Sequence, residues 1–225
     1  MSDLEIRRIL LPPYDNNCYV VVCPDTHESI IVDAPSNPDK IIDLARGTLL
    51  RLVVITHRHR DHWGALEELW RRTGAEVAAH PLDAPELPVK AQRQIAEGDP
   101  VEFGRSSLRV LHTPGHTEGS ICLVGTGSPL AAGPLPEPVE GRREAAPVLI
   151  SGDTLFPNGP GRTRNARDLA QIIESITGKL FPLPDDTVVY PGHGEGTVLG
   201  VEKQRYARFA ARPRDPDLHG DIAWD

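Results

Sequence analysis

A chain of 225 residues with a formal net charge of −8 has material for one domain with a substantial buried core. Its acidity argues against a broad nucleic-acid footprint, which is built from basic side chains. Three cysteines without a C-x-x-C spacing argue against a disulfide scaffold, and no apolar run approaches the ~18 residues of a membrane span.

The N-terminus has neither a basic start nor a long apolar core, so no signal peptide is read and a cytoplasmic protein is expected. Residues 6–11 read as a strand stopped by Pro12-Pro13, and 16–23 as a turn entering a second strand. Residues 29–33 form a third, across the hairpin-like 24–28. Asp33 ends that strand, where a carboxylate needs a partner. It either caps the turn before Ala34-Pro35 or orients a metal-bound histidine, and both readings stand. Residues 37–46 are a helix, with Asn37 as cap, Pro38 at its first position and Gly47 closing it. Residues 51–55, apolar and β-branched, are a buried strand. Helical spacing returns over 65–73 and stops at Gly74.

Between that strand and that helix the chain reads Thr56-His57-Arg58-His59-Arg60-Asp61-His62-Trp63-Gly64. Only nine histidines are spread over the chain, yet three fall within six residues, with an aspartate. Imidazole and carboxylate are the ligands of a borderline divalent cation such as zinc. His57 and His59 alternate, so extended backbone points both the same way. Asp61 and His62 come a turn later and face a second point, so one loop can serve two metals. A solvated polar turn would account for Arg58 and Arg60 but not for the clustering.

Residues 75–79 form a short strand, and His80 opens a loop without being assigned as a ligand. Residues 83–100, rich in proline and charge, receive no element. Residues 101–104 and 107–112 pair as a hairpin, with His112 in the strand pattern and outside the site. Then come Pro114-Gly115-His116 and a strand over 120–124. Residues 125–147 lack periodicity and read as a surface loop before the strand 148–151. Asp153 again follows a strand's carboxyl end. A Gly/Pro/Arg loop over 157–164 leads to a helix over 165–177, with Leu169, Ile172, Ile173 and Ile176 on one face. The last strand, 187–190, delivers Pro191-Gly192-His193, and a final helix covers 201–211. The expected organisation is one domain over 1–211, carrying the loop at 125–147, and a polar tail over 212–225 with Trp224 near its end.

The His-x-His-x-Asp-His motif, followed in order by His116, Asp153 and His193, resembles the metallo-β-lactamase superfamily over about residues 5–205. Its glyoxalase II-like metallohydrolases are the most similar branch. They are matched by Pro114-Gly115-His116-Thr117-Glu118-Gly119, by Gly152-Asp153-Thr154-Leu155-Phe156, by Gly161-Arg162-Thr163 and by Pro191-Gly192-His193-Gly194. Residues 197–203 resemble the end of the short form lacking the glutathione-binding helical domain. The resemblance implies an α/β fold, an αββα sandwich of two mixed β-sheets flanked by helices. It implies two divalent metal ions, zinc first, with iron or manganese as other options. His57, His59 and His116 would hold one, Asp61, His62 and His193 the second, with Asp153 bridging. Asp61 would also orient the attacking hydroxide. The branch's usual Arg-Thr-Asp reads Arg162-Thr163-Arg164, and Tyr206-Ala207 stand where it often has Asn-Pro. The first departure bears on substrate contacts and leaves the metals untouched.

The implied activity is hydrolysis of a small-molecule thioester, with neither a nucleic-acid nor a membrane partner. One alternative is a persulfide dioxygenase with a single iron on His57, His116 and Asp153. A lactonase or other small-ester hydrolase is another. A class B β-lactamase fits less well, because Asp153 stands where many of those have cysteine.

Overall fold

Runs as apolar as Cys18-Tyr19-Val20-Val21-Val22 suit a sheet covered on both faces, and that is where they lie. The computed structural model describes residues 4–128 and 146–225. In chain order the elements are β1 (Leu4–Leu11), β2 (Asn16–Val22), β3 (Glu28–Val32), α1 (Pro38–Leu44), β4 (Leu49–Ile55), α2 (Leu66–Thr73), β5 (Glu76–Ala79) and β6 (Arg93–Gln94). The second half holds β7 (Pro100–Phe103), β8 (Ser106–His112), β9 (Ile121–Ser128), β10 (Ala146–Gly152), β11 (Leu155–Phe156), β12 (Gly159–Pro160), α3 (Ala166–Ser175), β13 (Val188–Pro191), β14 (Thr197–Val198) and α4 (Leu199–Ala210).

Two mixed sheets stand face to face with helices outside. Hydrogen bonding runs β14-β13-β10-β9-β1-β2-β3-β4-β5-β6, with β7 and β8 attached beside β9. The two halves join where β1 meets β9 in a short parallel ladder, Leu4 opposite Gly127 and Glu5 opposite Ser128. Side chains alternate between layers, as the strand period demands. Tyr19, Val21, Ile30, Val32 and Val54 face inward against Val110, Leu123, Val148 and Ile150 of the other sheet. Cys18, Val20, Ile31, Val53 and Ile55 face outward under Ile41 of α1 and Leu66 and Leu69 of α2. Leu111, Cys122, Leu149 and Val189 play that part for the second sheet, under Leu169 and Ile172 of α3 and Leu199 and Phe209 of α4. Burying one such leucine stabilises by about 1.5–3 kcal/mol. Two helices start at side-chain caps, the expected Asn37 of α1 and Asn165 of α3. Asn37 Oδ1 accepts from Lys40 N at 3.2 Å, and Asn165 Oδ1 from Asp168 N at 2.9 Å. No helix among the described residues is long and apolar enough to cross a membrane.

Two expectations change. β9 runs through Ser128 and β10 starts at Ala146, so both ends of the expected 125–147 loop are strand. Gly125 pairs with Val148, Thr126 with Pro147 and Gly127 with Ala146. Backbone pairing needs no apolar side chain, so composition hid it, and at Gly125 a Cβ would lie 2.5 Å from Leu108 Cδ2. The rest of that loop, residues 129–145, lies outside the described residues. Residues 212–225, polar by composition, fold back on the α3–α4 layer. Trp224 is 1% exposed, with its ring 5.4 Å from that of Tyr206 and 6.1 Å from that of Phe181. A lone aromatic has no periodicity to announce this.

Candidate metal centre

The loops after β3, β4, β8, β10 and β13 converge at one edge of the sandwich. Backbone bonds tie them together there. Ile121 N donates to Thr56 O at 3.0 Å, Asn17 N to Gly192 O at 2.7 Å and Gly192 N to Gly152 O at 2.8 Å. All seven ligand-type residues meet at this edge, in overlapping groups: His57, His59 and His116; His57, His62 and Asp153; and Asp61, His62 and His193.

In the first triad His57 Nε2 lies 3.1 Å from His59 Nδ1, which lies 2.8 Å from His116 Nε2. With Zn–N near ~2.0–2.1 Å, nitrogens around a tetrahedral ion sit about 3.3 Å apart, so this spacing suits a shared cation. The far nitrogens are held: His57 Nδ1 is 3.1 Å from Thr56 Oγ1, and His116 Nδ1 donates to Arg162 O at 2.8 Å.

In the second triad His62 Nε2 and His193 Nε2 are 3.1 Å apart, and Asp61 Oδ2 is 3.3 Å from His193 Nε2. His193 Nδ1 donates to Tyr14 O at 2.9 Å. His62 Nδ1 meets Asp33 Oδ2 at 2.8 Å, and Asp33 also accepts from Thr56 N and Thr56 Oγ1, each at 2.8 Å. The carboxylate at the end of β3 thus bonds to both the backbone and the side chain that lead into the histidine loop.

Asp153 sits between the triads. Its Oδ1 is 3.3 Å from His62 Nε2, and its Oδ2 is 3.5 Å from both His116 Nε2 and His193 Nε2. Oδ1 is buried without a hydrogen-bond partner. Such an atom is costly unless something else binds it. Gly192 keeps this space open: a Cβ there would overlap Asp153 Oδ1 and lie 2.6 Å from His62 Cε1. Five imidazoles and two carboxylates, one of them with a buried oxygen that lacks a hydrogen bond, suit a pair of borderline divalent ions.

Protonation divides the cluster. Burial, with His62 adding to it, holds His57 well below the usual histidine range. Burial and His116 lower His59 to about 4. Burial also opposes charge on His62 and His193, but carboxylates outweigh it. Asp153 and Asp33 raise His62 well above its usual value, and Asp153 and Asp61 raise His193 to about 10. Asp61 is lowered, chiefly by its bond to His193. Burial would raise Asp153, yet His62 and His193 hold it well below the carboxylate range.

Other supports carry little sequence signal. Asn16 Nδ2 donates to Asp61 Oδ2 at 3.1 Å, and its only hint is a polar pair opening an all-buried strand. Asp83 lies in the stretch that received no element. It accepts from Arg58 N at 2.9 Å, Thr117 Oγ1 at 2.6 Å and Gly119 N at 2.9 Å, clamping the histidine loop to the His116 turn. His80 and His112 stack on each other at 4.0 Å, outside the cluster. Cavities open on both sides of the centre. One of about 450 Å³ touches His116 and Asp153, and one of about 600 Å³ touches Asp61 and Tyr14.

Comparison with known proteins places this edge in context. The metallo-beta-lactamase superfamily model matches residues 11–132. A hydroxyacylglutathione hydrolase of Polaromonas sp. (strain JS666) is 34% identical over 183 residues, 80% of this chain and 62% of that protein. The chain therefore spans less than two thirds of that relative's length. The crystal structure of ETHE1 from Myxococcus xanthus superimposes with a TM-score of 0.75 at 29% identity, covering 94% of this chain and 87% of that one. TTHA1623, crystallised in a di-iron-bound form, gives a TM-score of 0.67 at 28% identity, over 88% of this chain and 97% of that one.

Proposed function

The chain belongs to the metallo-beta-lactamase superfamily, and from that premise we propose that it is a two-metal hydrolase of a small thioester, with zinc as the first choice of metal. His57, His59 and His116 would hold one ion, Asp61, His62 and His193 the other, with Asp153 reaching both. Ions bound there lower the pKa of a water toward about 7 and polarise an acyl carbonyl.

The chain's own groups supply the rest. Four of the five rings have their far nitrogen held, by Thr56 Oγ1, Arg162 O, Asp33 and Tyr14 O, which orients them before substrate arrives. Asp61 Oδ2, steadied by Asn16, borders the cavity on its side of the centre and can orient the attacking water by accepting a hydrogen bond from it. A thiolate leaves with little assistance, because a thiol is far more acidic than an alcohol.

The observation that carries the reading is Asp153 Oδ1, buried between two sets of converging nitrogens with no well-formed hydrogen bond and only the 3.3 Å approach of His62 Nε2. Elemental analysis of protein purified without chelator tests it, followed by thioester hydrolysis before and after metal removal. Two ions per chain and turnover that chelation abolishes and zinc restores are expected. A chain that binds no metal sinks the proposal. The likeness to ETHE1 supports a second reading, a persulfide dioxygenase with one iron on His57, His116 and Asp153. One tightly bound iron and oxygen uptake with a persulfide would select it.

A further inference from the structure

The C-terminal residues reach the mouth of the metal centre. Asp221, Ile222 and Ala223 form one wall of the cavity of about 450 Å³ that touches His116 and Asp153. Phe156, Pro157 and Pro160 line the same cavity. His219 and Gly220 border the neighbouring cavity of about 510 Å³, with His59, Arg162 and Arg164. The segment thus separates an apolar recess from a basic one, and both recesses touch His116.

This wall is pinned at both ends. Gly220 O accepts from Thr163 N at 3.1 Å, and Gly220 N donates to Thr163 Oγ1 at 3.2 Å. Trp224 N donates to Asn158 O at 3.0 Å, and Asn158 N donates to Oε2 of the buried Glu202 at 2.8 Å. Trp224 itself is sunk between Phe181 and Tyr206. Packing between the anchors is tight, since a Cβ on Gly159 would overlap Ile222 O. The strapped loop includes Arg162, whose carbonyl orients His116. A wall already ordered costs a ligand no further ordering.

We propose that residues 221–223 are the specificity-determining wall for the acyl arm of the substrate, which is an aliphatic chain of a few carbons lying against Ile222. The proposal rests on the hydrolase reading above and names its acyl class. The recess fits such an arm because Phe156, Pro157, Pro160 and Ile222 offer apolar surface, and apart from His116 and Asp153 at the centre itself its charged groups, Arg162 and Asp221, stay at the rim. Arg162 and Asp221 are 75% and 82% exposed and pair loosely at 3.8 Å. A carboxylate or carbonyl placed at His116 and Asp153 would direct its alkyl chain into this recess.

Straight-chain carboxylates from acetate to hexanoate, the products of any such acyl hydrolysis, are probes that need no turnover. Their binding to metal-loaded protein, measured by calorimetry, should tighten by up to about fourfold per added methylene. Ile222→Trp fills the recess and should flatten that dependence, with metal content and thermal stability unchanged. Ile222→Ser adds no bulk and serves if the tryptophan variant fails to fold; it should lose about tenfold in hexanoate affinity and little in acetate affinity. A parent without chain-length dependence, or variants that keep it, would overturn the proposal. If binding behaves as expected but thioesters of the same acids are not hydrolysed, the wall stands and the thioester reading falls.

Discussion

The two halves of the proposed metal centre gather the same imidazole groups with different groups behind them. His57 and His116 are backed by a hydroxyl and a backbone carbonyl. His62 and His193 are backed or flanked by Asp33, Asp61 and Asp153. In the metal-free protein burial leaves His57 and His59 neutral, while carboxylates keep His62 and His193 charged in spite of it. His57 and His59 therefore present ready lone pairs, whereas His62 and His193 must shed protons before they can bind a cation. The ligand type does not decide this; the neighbours do.

Removing the residue both halves share should do the most damage. Asp153→Ala should reduce bound metal to at most one ion per chain and cut turnover by more than the about 10–100-fold typical of a supporting residue. Full metal content in that variant would show that Asp153 is not shared. Asp61→Asn touches one half only. Measured on fully loaded protein, it should lower kcat at least about 100-fold and weaken the second equivalent of metal alone. Turnover at the parent rate would take Asp61 out of the catalytic step.

pH separates the halves without any substitution. Zinc titrated into metal-free protein at pH 6 and 8 should find one equivalent for which His57 and His59 are already neutral, so that its affinity responds less to pH than the other's. The other should tighten about tenfold per pH unit for each proton that His62 and His193 release. The sign follows from the raised values: these protons are held at low pH and leave as pH climbs, toward about 10 for His193. By the same linkage, the His193 pairing stabilises the metal-free fold fully below its unfolded pKa of ~6.5 and fades as pH rises toward about 10. Equal pH slopes for both equivalents would erase the contrast.

Smaller effects sharpen it. Asp33→Asn should weaken the second equivalent about 10–100-fold and spare the first. Asp33 sits at φ 61°, a conformation asparagine tolerates, so the exchange removes charge and keeps backbone shape. Equal losses at both sites would mean that Asp33 acts on the whole loop through Thr56. Replacing residues 129–145 with a short turn should change stability least, by no more than about 1 kcal/mol, because Gly127 and Ala146 are already paired. A large fall in melting temperature would mark that segment as a structural element.

The ligand-type residues were legible because each lies in a short loop that follows an apolar, β-branched run reading as a buried strand. The cap Asn37 was legible for a similar reason, since a capping bond spans three residues, and the same bond at Asn165 went unread. Asp33 was half legible: a carboxylate closing an apolar strand demands a partner, but its partners Thr56 and His62 lie 23 and 29 residues on. Asp83 was not legible at all, with partners 25 to 36 residues away and only a single 3-10 turn, Ala84–Glu86, beside it.

By itself, then, the sequence determined what acts over a few residues: strand and helix periods, caps, the loop that carries three histidines, and the order in which further ligand types follow. Tertiary structure alone decided which histidines stay neutral and which stay charged, and that Trp224 turns a polar tail into a wall beside the centre. Desolvation, Coulomb attraction and close packing act through space between segments distant in the chain, and no local pattern encodes which segments will meet.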